Sequence, residues 1–418
     1  MFEGEAMTAP STPADPPALQ AVLSEEVSPP PSISYGQLFV RFLRFGLLAW
    51  GGPVAQIAML RQELVEEQRW VSRTRFNRVL AVYQVLPGPE AHELCVYFGY
   101  LARGRVGGLL AGLGFMLPGL VLMLLLSWFY VAVGLASPLF AALFAGCQVA
   151  VTALIVRAVH RIGEHVLSSR RLWAIALGVA LGQLLNIPFY LILGAAALVG
   201  ALSARRQYGC AGLVVVAVSA AAFALALQGS TAASAQGGTA ATRAPSVVNL
   251  FFSGLRAGLL TFGGAYTAIP FVQRHAVEVG GWMTNAQFLD GLALSGILPA
   301  PLVIFVTFVG YLGGGLSGAL AMTAGMFLPA FAFTLVGHEL MEQVVERPSV
   351  HAALDGVAAG VVGLIAATAL QLLLATVTDL LRAAIFLAAL VVAYRWKTKW
   401  AVLVIVASAG LLGLLLLR

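Results

Sequence analysis

Apolar residues run from Leu38 to Leu417 in stretches of about 18 or more, separated by short polar or arginine-bearing connections. At 1.5 Å per residue, each such stretch matches the roughly 30 Å hydrocarbon core of a bilayer. A membrane barrel would show short alternating segments instead, so the pattern predicts helices. Seven segments, 37–60, 76–101, 107–135, 138–158, 171–186, 187–203 and 209–228, precede a run of Gly, Ser, Thr, Ala and Gln at 229–246 with the composition of a flexible linker. Six follow it: 247–272, 288–313, 315–336, 351–375, 379–394 and 400–417.

Two of these segments are interrupted alike. LAVYQVLPGPEAHE at 80–93 and LALSGILPAPLVIF at 292–305 each carry a Leu-Pro-small-Pro break, at an offset of 212 residues. Proline removes a backbone donor and clashes with the preceding turn, a loss of about 3 kcal/mol or more inside a helix unless other groups use the freed backbone. The match is longer than the break. Residues 43–89 overlie 255–301 without a gap, with 17 identities in 47 positions, and Gly51-Gly52-Pro53 falls on Gly263-Gly264-Ala265. After one deletion the match continues through Leu117-Pro118 and Leu328-Pro329, which read as further breaks. The chain is an internal duplication. Seven crossings before the second copy turn that copy over, the inverted-repeat layout of many secondary transporters. The expected fold is an all-α polytopic membrane protein with two inverted helical repeats of about six spans each, one linking span and discontinuous helices. The expected units are a disordered tail at 1–36, a first repeat at 37–208, a linking span and linker at 209–246, and a second repeat at 247–418.

Charge supports this layout only in part. With the tail in the cytoplasm, the arginine-bearing connections 102–106, 157–171 and 203–209 fall inside, as does 395–399, but 61–78 with its five arginines falls outside. The charge pattern is repaired if 76–101 enters and returns as a re-entrant hairpin with its Pro break at the tip.

Composition then narrows the class. With 60% hydrophobic and 10% charged residues and a mean hydropathy of +0.91, polar surface is too scarce for a water-soluble domain, and the lipid bilayer is the expected surrounding. The net charge of +6 reads as loop arginine that sets topology, not as a nucleic-acid surface. Residues 1–36 lack the basic start and short apolar core of a signal peptide. Cys95, Cys147 and Cys210 are far apart, without metal or disulfide spacing, and no phosphate-binding GxxxxGK[ST] loop is present. No cofactor, metal site or catalytic cluster is expected. A homo-oligomer is compatible with the sequence.

A broken helix frees carbonyls before the break and N–H groups after it, and the N-terminal end of the second half favours an anion. The candidate binding elements are therefore Gly51, Gly52, Pro53, Pro87, Gly88 and Pro89 in the first repeat, and Gly263, Gly264, Pro299, Ala300 and Pro301 in the second. Arg44 and Arg256 occupy equivalent positions inside apolar spans, where a centred arginine costs roughly 2.5–3.5 kcal/mol. Binding an anion and snorkelling to the interface both account for them. Glu90, His92 and Glu93 follow the first break, whereas Leu302, Ile304 and Phe305 follow the second. Carboxylates in a first helical turn are ordinary dipole partners, and beside a buried break they, with an imidazole, are also candidates for proton coupling.

FLRFGLLAWGGPVAQI at 42–57, QVLPGPEAHEL at 84–94, GFMLPG at 114–119, FGGAYTAIPFV at 262–272 and SGILPAPLVIF at 295–305 resemble the chromate transporter family in its long, two-domain form. The resemblance covers nearly everything between 37 and 418. It implies an inner-membrane carrier, not an enzyme, that expels chromate and confers resistance, linked to the proton gradient or the membrane potential. Arg44, Gly51, Gly52, Pro53, Pro87, Gly88 and Pro89 carry the family's motif. The chain departs from it at Ala49-Trp50 and Gln56, where many members read Ser-Phe and His, and at Glu90-Ala91-His92-Glu93, where many read Ala-Ser-Ser-Gln. Sulfate shares the shape and charge of chromate, and the residues alone do not separate the two.

Overall fold

The computed structural model describes residues 33–133, 137–185, 187–205, 207, 209–210, 212–214, 216–217, 245–262, 264–337, 348–396, 398 and 400–417. Most of the expected tail, linker and linking span, together with Gly263, lie outside the described residues. The described backbone is helical, with no strand.

Helix α1 (Tyr35–Leu47) starts at a capping box in which the Ser34 hydroxyl accepts from the Gln37 amide and the Gln37 side chain accepts from the Ser34 amide. Thirteen residues reach only about 20 Å, well short of a full crossing. The chain then turns at Gly51 and Gly52, with φ of 92° and 77°, conformations that glycine adopts without strain. It returns as α2 (Gly52–Leu60), continued by a π-helical segment at Arg61–Glu67. The return is fixed by Arg41, which lies 3.8 Å from Glu63 and 5.2 Å over the Trp70 ring.

A second hairpin follows. Helix α3 (Arg73–Val85) runs inward to the Pro-Gly-Pro turn, and α4 (Glu90–Ala132) runs back out. Phe76 stacks on Phe98 at 6.3 Å and the Arg75 Nε donates to the Tyr97 hydroxyl at 3.0 Å, which ties the outer ends together. Helix α4 is itself doubled back at Arg103-Gly104, so its arm 105–132 packs on arm 90–102 with Gly99 against Gly107 and Ala111.

The second repeat builds the same pair of hairpins. It comprises α8 (Val247–Leu259), a 3-10 turn at Ala265–Ala268 running into α9 (Ile269–Gln273) and a π-helical segment at Arg274–Val279, then α10 (Asn285–Gly296) and α11 (Phe305–Val336). Helix α11 doubles back at Gly314-Gly315, and Pro245, Trp282 and Gly313 meet at one end. Gly108 lies against Leu335 and Gly112 against Phe331, so the long arms of the two repeats run antiparallel. Helix α1 runs parallel to its own long arm, with Leu38 beside Gly107 and Gly46 beside Pro118; α8 does the same, with Gly254 beside Met322 and Gly258 beside Pro329. The repeats are therefore inverted.

Segments 37–60 and 76–101, and their counterparts 247–272 and 288–313, are thus hairpins that enter and leave on one face; single crossings were expected, except that a re-entrant 76–101 was the alternative that the charge pattern favoured. Half-helices of this length cannot span the core, and their turns are sheltered by the opposite repeat. The first repeat loses two crossings, an even number, so the expected parity is unchanged, in keeping with the antiparallel packing of the long arms. The arginine-rich 61–78 now shares a face with 102–106, which removes the mismatch with the charge rule. Pro118 and Pro329 also differ from expectation: the helices run through both, and the rings are accommodated by Gly46 and Gly258, which lack a side chain.

The remaining helices are exchanged between repeats. Helix α5 (Pro138–Val166) is covered by α13 (Leu380–Arg395) and α14 (Ala401–Leu416), and α12 (Pro348–Thr376) by α6 (Arg170–Leu184) and α7 (Phe189–Ala204). Small residues line these seams, Gly146 against Ala409 and Gly413, and Gly356 against Ala196 and Gly200. Without a hydrophobic force between helices in lipid, close backbone approach of this kind supplies the packing.

A side chain at Gly146 meets the Ala409 backbone, which cannot step aside, whereas Gly178 has nothing within 4 Å. Gly146→Ala is expected to cost about 1–3 kcal/mol, and Gly178→Ala to be neutral or slightly stabilising. Thermal unfolding of the detergent-purified variants checks the contrast; equal midpoints would mean that the seam yields.

Candidate transport site

The four hairpin turns meet crosswise in the interior. The amide of Gly88, in the first repeat's Leu-Pro-Gly-Pro turn, donates to the carbonyl of Thr261, in the second repeat's glycine turn, at 2.9 Å. The related pair, Ala300 and Ala49, is bridged by a side chain: the Gln56 Nε2 donates to the carbonyls of Ala49 at 2.9 Å and Ala300 at 3.0 Å. The reason is local. The Ala300 amide is already used by Leu298, 3.0 Å away, so both facing groups are acceptors and need a donor between them. One internal symmetry thus yields one direct link and one bridged link.

Pro87, Gly88, Pro89, Pro299, Ala300 and Pro301 are buried at these crossings, while Gly51, Gly52, Pro53 and Gly264 are half-buried. Gly263 cannot be placed, being outside the described residues. Gly88 has φ of 153°, and a Cβ on it would stand 2.6 Å from the Glu93 Oε1. Glu90 is 6% exposed and faces Gly264 across the crossing; Glu93 is fully buried, and neither of its oxygens has a hydrogen-bond partner among the described residues. His92 is also fully buried, edge-on to Phe327 at 4.9 Å and Phe331 at 4.7 Å. Of the three groups, the two carboxylates sit at the turn and the imidazole sits in an aromatic wall. Arg44 and Arg256 are exposed, each in the last turn of its first half-helix, where a cation complements the negative helix end.

One buried acid lies outside the expected set. Asp290 in α10 is 4% exposed and accepts from the Tyr130 hydroxyl at 2.7 Å and the Gln148 amide at 2.8 Å. It ties a second-repeat half-helix to α4 and α5 of the first. Its signal in the sequence was the repeat comparison, which puts Asp290 where the first copy has Arg78.

Inverted repeats, discontinuous helices and a central crossing of half-helix ends define the class: a multi-pass membrane protein built like a secondary transporter. The sequence signature described as chromate transporter matches residues 36–201 and again 248–414. The chain belongs to the chromate transporter family. It is 57% identical to a chromate transport protein of Pseudomonas aeruginosa over 92% of this chain and 93% of that protein. It is 31% identical to a chromate transport protein of Cupriavidus metallidurans over 92% and 94%. It is 26% identical to an uncharacterized transporter of Methanocaldococcus jannaschii over 91% and 94%. No solved structure gives a significant match.

Gly88→Ala is expected to lower transport at least tenfold with membrane abundance preserved, because the added methyl group meets both the positive φ and the Glu93 carboxyl. Normal transport in that variant would show that the turn accepts a side chain. Gln56→Leu leaves two buried carbonyls without their donor and is expected to cost about 1–3 kcal/mol, read as a lower unfolding midpoint in detergent. An unchanged midpoint would mean that water replaces the amide.

Proposed function

We propose that this protein exports chromate across the inner membrane, confers chromate resistance, and draws on the proton gradient. The observation that carries the reading is the crosswise meeting of the four broken hairpins. It gathers helix ends and freed backbone groups at two interior crossings, groups of the kind that recognise a tetrahedral dianion. The names of the relatives support chromate as the ion, and sulfate is the second candidate because it has the same shape and charge. Glu90 and Glu93 are assigned to proton coupling, since they lie at a crossing in one repeat only. Arg44 and Arg256, in equivalent last turns before the two glycine turns, are assigned to binding the anion as it approaches the crossings. The repeats are assigned to 37–208 and 247–418, joined by a span and linker at 209–246 that carries the chain to the opposite face. The arginine-rich face is assigned to the cytoplasm.

Uptake of chromate and sulfate into inverted vesicles, with and without an imposed pH gradient, tests the reading. Chromate uptake that rises with the gradient is the expected result, and absence of uptake for both anions overturns it. Glu90→Gln and Glu93→Gln are expected to abolish most of the gradient-driven component while chromate binding stays within about threefold. Normal gradient dependence in both would reduce these carboxylates to helix-end partners.

A further inference from the structure

The two crossings share a backbone plan but not their chemistry. The first brings together Gly88-Pro89-Glu90 with Thr261 and Gly264, and Tyr266 follows two residues on; the second brings together Ala300-Pro301-Leu302 and the segment from Ala49 to Val54. Glu90 thus corresponds to Leu302, and Tyr266 to Val54. Helices α5 and α12 align at an offset of 210 through Gly146/Gly356 and Leu154-Ile155/Leu364-Ile365, which sets Arg157 against Ala367 and Arg161 against Gln371. Each ionisable group of this set in the first crossing is neutral in the second.

Arg157, Arg161 and His165 recur every four residues and share one face of α5. His165 ends this face on the side assigned to the cytoplasm, and Arg161 and Arg157 lie about one and two turns deeper in α5. His165 lines a cavity of about 290 Å³ whose other walls include Gln84, two residues before Leu86, and Phe262, next to Thr261. His351 and Asp355, 3.1 Å apart, line it as well. Arg161 lies within electrostatic reach of Glu90 and Tyr266, and Arg157 of Tyr266. Arg157 is half-buried and Arg161 exposed. The fully buried Glu93 carboxyl, unpartnered among the described residues, completes the same crossing beside Gly88.

Building on the proposed function, we propose that Arg157 and Arg161 hold the transported oxyanion at the first crossing, with the Tyr266 hydroxyl as a further donor, so that the duplicated fold has one anion site and not two. Guanidinium groups suit this task because their forked donors match a tetrahedral oxyanion. The second crossing, with Leu302, Val54, Ala367 and Gln371, has no cation in that set.

The test compares chromate uptake by the unaltered protein with Arg157→Ala and Arg161→Gln, each of which installs the residue found at the equivalent position of the second repeat, where a helix of the same length forms. The expected result is a KM for chromate raised at least tenfold in both variants at unchanged membrane abundance, with the maximal rate less affected. Arg161→Lys is expected to recover part of the loss. A KM within twofold of the unaltered value in both neutral variants overturns the proposal. Should a neutral variant fail to insert, Arg157→Lys and Arg161→Lys decide: a KM raised threefold or more supports guanidinium recognition, and an unchanged KM in both overturns it. If the unaltered protein transports neither chromate nor sulfate, the functional reading fails separately. Equilibrium binding of labelled sulfate to the purified proteins then still discriminates, with equal affinity across all variants ruling out these arginines.

Discussion

Within a bilayer every backbone polar group must find a partner inside the protein, and the four interrupted hairpins are arranged around that constraint. A half-helix that stops in the apolar interior leaves carbonyls and amides that would each cost several kcal/mol if left bare. The inverted repeats meet this by turning their breaks toward each other. Gly88 donates to Thr261 directly, and Gln56 supplies the donor that Ala49 and Ala300 lack. Neither repeat could satisfy its own turns alone. The duplication is therefore a mutual requirement of the two halves as well as a record of ancestry.

The same dependence governs the periphery. Helices α6 and α7 cover α12, while α13 and α14 cover α5, so each repeat lends its last two helices to the other. Glycine and alanine seams let these backbones approach closely, and the exchange holds the central crossing in register from both sides. Asp290 adds a polar pin between the halves through Tyr130 and Gln148. A buried carboxylate is costly unless hydrogen-bonded, and two donors from the opposite repeat meet that need.

Symmetry of the backbone and asymmetry of the side chains serve different ends. Related breaks create two crossings on one backbone plan, the inverted-repeat symmetry seen in many secondary transporters. Some departures from symmetry change charge: Glu90 stands against Leu302, and Arg78 against Asp290.

The sequence by itself determined the helical class, the duplication, its inversion and the breaks at the glycine and Leu-Pro-small-Pro turns, because hydropathy, residue spacing and proline act locally. It also marked Glu90 and Glu93 as present in one copy only. It did not reveal that 37–60 is a hairpin, since an apolar run reports burial and not whether the chain crosses or returns. The helix-end position of Arg44 and Arg256 was likewise hidden, because it depends on where α1 and α8 stop. Proline at 118 and 329 read as a break until the facing Gly46 and Gly258 were seen to make room for it. Only the tertiary structure decided which freed carbonyl meets which donor, and why Gln56 is needed at one crossing and not the other. Such pairings join residues as far apart as Gln56 and Ala300, and a contact between them exists only once both repeats are folded against each other.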